Sequence, residues 1–129
     1  MHDPGNNAGS VGVFTQSGGA VNGGRSLTIG ANGGTGTYNL DTGGTPILNV
    51  SILTLGFQGT GTFNQMAGTT VNTNNIFMGT DQATYDMSGG VLNVSGGQGT
   101  IVGTFNVANF NQSGGAHNTN ELIIGTVMV

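Results

Sequence analysis

The stretch Thr60-Gly61-Thr62-Phe63-Asn64-Gln65-Met66-Ala67-Gly68-Thr69 decides the fold of this chain, because it recurs. An aromatic followed by a small polar residue appears at Phe14-Thr15, Tyr38-Asn39, Phe63-Asn64, Tyr85-Asp86 and Phe110-Asn111, with gaps of 24, 25, 22 and 25 residues. A glycine-containing turn follows each pair: Gly18-Gly19, Gly43-Gly44, Gly68, Gly89-Gly90 and Gly114-Gly115. Next comes an asparagine column, Asn22, Asn49, Asn72, Asn93 and Asn118. Each unit closes on apolar-x-apolar-Gly: Leu27 to Gly30, Leu53 to Gly56, Ile76 to Gly79, a degenerate Thr100 to Gly103, and Leu122 to Gly125. Several independent columns in step establish an internal repeat, the signature of a stacked architecture.

Within a unit the periodicity is two. In Leu27-Thr28-Ile29 the outer residues face one way and Thr28 the other, as a half-buried strand requires. Glycine-rich turns separate these runs, so each repeat reads as two or three short strands. The expected fold is an all-β, right-handed parallel β-solenoid of about five coils of 22–26 residues, approximately 6–30, 31–56, 57–79, 80–103 and 104–125. At roughly 4.8 Å per coil the rod is about 24 Å long. Pro46 and its neighbours lengthen the second repeat, where a bulged turn is expected.

Stacking makes the columns into ladders. Aromatics lie on aromatics (Phe14, Tyr38, Phe63, Tyr85, Phe110), and amides on amides (Asn22, Asn49, Asn72, Asn93, Asn118), as in cross-β assemblies. The inward set is the aromatic column with Leu27, Ile29, Leu53, Leu55, Ile76, Met78, Val102, Leu122 and Ile124. One coil cannot bury that face alone; the stack can.

Composition excludes several functions. Charged residues make up 5% of the sequence, and Arg25 is its one Lys or Arg. Nucleic acid and anionic membrane surfaces, which both need basic side chains, are not expected partners. No apolar run approaches the ~20 residues that span a bilayer, so no membrane insertion is expected. The chain has no Cys, hence neither disulfides nor a Cys-based zinc site. The acids sit in different columns and Arg25 stands apart, so no catalytic cluster, cofactor or metal site is expected. His117 occupies the column of Val21, Leu48, Val71 and Leu92, with only Asn residues and Glu121 near enough to share a metal, and reads as a tolerated polar substitution in the last coil. The start Met1-His2-Asp3-Pro4 has no basic and apolar signal segment, so the chain reads as a mature fragment or as a piece cut for expression.

The consensus of Thr60 to Thr69 resembles the β-strand repeats of bacterial autotransporter passengers and related PEP-sorting surface proteins, over about Val11 to Gly125. That resemblance implies a secreted or cell-surface β-helix with adhesive or structural roles.

Two lateral features and the ends bear on function. Thr28, Thr54, Phe77, Ile101 and Ile123 share the outward position of the closing strand. Phe77, Ile101 and Ile123 would form an exposed apolar stripe, a possible lateral interface, unless turn segments fold over them. Thr35 and Thr37 align with Thr60 and Thr62 in an outward Thr-x-Thr patch. It resembles the flat arrays of ice-binding solenoids, or reflects only the preference of strands for β-branched residues. Gly5 falls near the phase of the closing glycines, and the tail Leu122 to Val129 is apolar and uncapped. End-to-end association with a second copy, or with neighbouring repeats of a longer array, is expected. The leading expectation is a structural or adhesive module, not an enzyme; the alternative is a solenoid that binds ice or polysaccharide through a Thr/Asn face.

Overall fold

The computed structural model describes residues 9–126; Gly5 and the tail residues Val127 to Val129 lie outside them. The first coil holds β1 (Val11–Asn22) and β2 (Ser26–Ala31), and the second is β3 (Thr35–Phe57). The third holds β4 (Thr60–Gln65) and β5 (Thr70–Met78), the fourth β6 (Gln82–Met87), β7 (Val91–Val94) and β8 (Thr100–Val102). The fifth holds β9 (Ala108–Gln112), β10 (Ala116–Thr119) and β11 (Leu122–Ile124). All strand pairings among these elements are parallel, each to the next coil, and no α-helix occurs among the described residues. The chain is an all-β parallel β-solenoid of about five turns.

The sequence columns become the register. Phe14 pairs with Tyr38, Tyr38 with Phe63, Phe63 with Tyr85 and Tyr85 with Phe110. Asn22, Asn49, Asn72, Asn93 and Asn118 pair in the same succession. The second coil is irregular where Pro46 lies: register shifts fall between Gln16 and Gly18 and between Gly18 and Ala20, opposite 40–47. Thr45 there adopts a φ of 51°, and Pro46 turns into the buried side. The extra residues are absorbed at a corner, and pairing resumes at Val21 with Leu48.

The core is made of columns that run the length of the stack. Leu40, Leu48, Leu53, Leu55, Phe63, Val71, Ile76, Met78, Tyr85 and Leu92 are each fully buried. Burial is complete only in the middle coils. Leu122 and Ile124, expected to face inward and be covered, are 50% and 74% exposed. Among the described residues nothing lies beyond β11 to cover them, and a coil is buried by its neighbours as much as by itself.

The closing glycines explain how coils come so close. Gly56 has a φ of 74°, and a side chain there would run into the backbone carbonyl of Gln82 in the fourth coil. Only glycine meets both demands.

Candidate functional site

The aromatic ladder is continuous. Ring centroids are 5.0 Å apart for Phe14–Tyr38 and Tyr38–Phe63, 4.8 Å for Phe63–Tyr85 and 4.7 Å for Tyr85–Phe110, all near parallel. These separations are those of successive coils, and they suit offset stacking. The amide ladder is equally continuous. Each Asn donates from Nδ2 to Oδ1 of the coil before: Asn49 to Asn22 (3.0 Å), Asn72 to Asn49 (2.9 Å), Asn93 to Asn72 (2.9 Å) and Asn118 to Asn93 (3.0 Å). A second, broken ladder follows the aromatics on the outside. There Asn64 donates to Asn39 (2.8 Å) and Asn111 to Asp86 (2.8 Å).

The interior also holds polar side chains that the sequence reading passed over. Gln16 is 5% and Gln65 0% exposed, two residues after Phe14 and Phe63. The Tyr38 hydroxyl donates to Gln16 Oε1 (2.7 Å), and the Tyr85 hydroxyl to Gln65 Oε1 (2.6 Å). Burial pushes the Tyr38 hydroxyl up to about 12 and Tyr85 well above its usual range, so both remain donors. Every buried side-chain nitrogen and oxygen among the described residues has a hydrogen-bond partner, as a low-dielectric interior demands. A signal for these glutamines was present: in a strand the residue two after an inward aromatic also faces inward.

The lateral faces differ from expectation in one respect. Thr28, Thr54, Phe77, Ile101 and Ile123 do stack in register. Yet Ile101 is only 3% exposed, outside the main core cluster, and Phe77 and Ile123 are half-buried. The expected exposed stripe is therefore closed at its centre. The Thr patch is in register, Thr35 with Thr60 and Thr37 with Thr62. It extends to Thr84 in one column, but meets Gln82 in the other, with Val11 and Val13 in the first coil and Asn109 in the fifth.

The two ends are the least satisfied surfaces. At the first coil Phe14 is 52% exposed, and a depression of about 380 Å³ opens between Phe14, Val21, Leu27 and Ile29. At the fifth coil Phe110 is half-buried, because the His117 ring stacks on it at 4.7 Å and 18°. The Tyr85 and His117 rings both stack near-parallel on Phe110 at that distance. His117 Nε2 lies 3.0 Å from Thr100 Oγ1, which donates to Thr119 Oγ1 (3.1 Å), which donates to the Glu121 carbonyl (2.7 Å). The direction of that chain assigns the proton to Nε2. His117 thus joins the aromatic stack at Phe110.

Burial lowers the His117 pKa below its usual 6.5. The unfolded chain therefore takes up this proton first as pH falls. Stability is expected to be level above about pH 7 and to decline below the unfolded pKa. Thermal unfolding across that range checks this, with His117→Leu, the residue of the fourth coil, removing the slope. A slope unchanged by that substitution would assign it to other groups.

Comparison with protein-family models, curated proteins and solved structures finds no match to this chain.

Proposed function

We propose that this chain is a structural module of an extracellular or cell-surface rod, which works by continuing its solenoid end to end with further coils. One observation carries the reading: the core columns are fully buried in the middle coils, whereas among the described residues both ends leave in-register columns uncovered, with Phe14, Leu122 and Ile124 at least half exposed. Uncovered strand edges beside exposed apolar side chains are templates for pairing. With one cation and five acids in the chain, little charge guards them. A head-to-tail contact of this kind yields rods unless its rotation closes a ring. The placement outside the cell rests on the resemblance of the repeat to surface-protein repeats.

The test is sedimentation and electron microscopy of the purified chain over a range of concentrations. End-to-end species are expected to grow with concentration and to vanish when a charged, proline-containing cap follows Val129. A strictly monomeric uncapped chain would overturn the proposal.

A further inference from the structure

The interior of the stack carries a two-coil alternation on top of the single-coil repeat. The aromatic column reads Phe14, Tyr38, Phe63, Tyr85, Phe110, while the inward position two residues on reads Gln16, Leu40, Gln65, Met87, Gln112. Odd coils are thus Phe-x-Gln and even coils Tyr-x-aliphatic. Each buried Gln clasps the coil that follows it, and it does so through both ends of its amide. Gln16 Oε1 accepts from the Tyr38 hydroxyl while its Nε2 donates to the Ile47 carbonyl (2.9 Å). Gln65 Oε1 accepts from the Tyr85 hydroxyl while its Nε2 donates to the Val91 carbonyl (2.9 Å). Ile47 and Val91 occupy one column, so the two clasps are the same device repeated two coils apart. The junctions between them, second to third and fourth to fifth, put Leu40 and Met87 in the glutamine column and have no such clasp.

Gln112 stands in the same register, opposite Met87, in the fifth coil. Its Nε2 donates to the Gly115 carbonyl (3.1 Å), the counterpart of the Gln16 bond to the Gly19 carbonyl (3.1 Å). Its Oε1 accepts no hydrogen bond from any described residue, and the side chain is exposed. We propose that the C-terminal end of the stack is a docking face for one kind of β-solenoid coil, Tyr-x-aliphatic, whose tyrosine hydroxyl donates to Gln112 Oε1. The incoming Tyr stacks on Phe110 as Tyr85 stacks on Phe63. The first coil of a second copy fits this face less well. It brings Phe14 and Gln16, so Gln112 would be buried without a hydroxyl and against a second amide. An interior amide left unpaired costs more than the bond it makes, so the clasp ranks partners that are otherwise equally apolar.

This inference rests on the proposal that the ends continue the solenoid, and the test separates the two. The chain is extended after Gly125 by a duplicate of its own fourth coil, 80–103, and compared with the same extension carrying Tyr85→Phe in the duplicate only. A third extension duplicates the first coil, 10–30. Equilibrium unfolding is expected to show the Tyr extension with a folded-to-unfolded ratio about tenfold above the Phe extension, and above the first-coil extension. Gln112→Leu should erase the Tyr–Phe difference. The Gln112 side-chain amide protons give a second reading, slowed in exchange only in the Tyr extension. Equal gains from all three extensions would overturn the clasp and leave end-to-end stacking standing. No gain from any of them would overturn both.

Discussion

Phe63→Ala is expected to destabilise the protein by about 3–5 kcal/mol. Phe63 is fully buried at the centre of the ladder, with Tyr38 and Tyr85 rings 5.0 and 4.8 Å away. Truncation removes the apolar burial of a whole ring and both of its stacking contacts, each worth about 0.5–1.5 kcal/mol beyond area. The backbones of the second and fourth coils are held apart by strand pairing to β4, so the cavity cannot collapse. In a stack whose strands pair only with those of adjacent coils, the loss falls at the junction that joins the two halves. Denaturant unfolding with a shared slope measures it. A change below about 1 kcal/mol would mean the ring is not the packed element described here.

Gly56→Ala should be at least as damaging, about 3 kcal/mol or more, through the backbone and not through lost burial. The φ of 74° strains any residue with a Cβ, and at this position the Cβ also meets the Gln82 main chain. Neither side can yield cheaply: Asp81 N donates to the Gly56 carbonyl (2.7 Å) and Gln82 N to the Gly59 carbonyl (3.2 Å), which ties the two coils together. Gly68 is the internal control. Its φ is 79°, but a Cβ there would meet open space, so Gly68→Ala should cost only the conformational strain, about 1 kcal/mol. Equal losses from the two substitutions would show that close approach of the coils contributes nothing at Gly56. Against a total stability of about 5–15 kcal/mol for a domain, either large loss removes a substantial share.

The sequence by itself determined the columns. Phe63 and Tyr85 are 22 residues apart yet share a column because every other feature of the repeat keeps the same phase. Period two then assigns inward and outward faces, and in-register stacking follows, with the Asn22-to-Asn118 ladder and the irregular turn at Pro46. These are consequences of the covalent order and the geometry of a strand. What only the tertiary structure decided is who covers whom. Ile101 shares the outward column of Phe77 and Ile123 and is still buried, which its place in the strand does not foretell. Leu122 and Ile124 carry the core pattern and are exposed, because burial of a column residue is supplied by the coils above and below it. The direction of the clasps belongs to the same class. A glutamine in an inward column has two neighbours at nearly equal distance, and period alone does not say which one it grips. Side-chain orientation along the rod settles that: Gln16 and Gln65 both turn toward the coil that follows. It is this shared direction, absent from the one-dimensional pattern, that gives the two ends of the stack different chemistry.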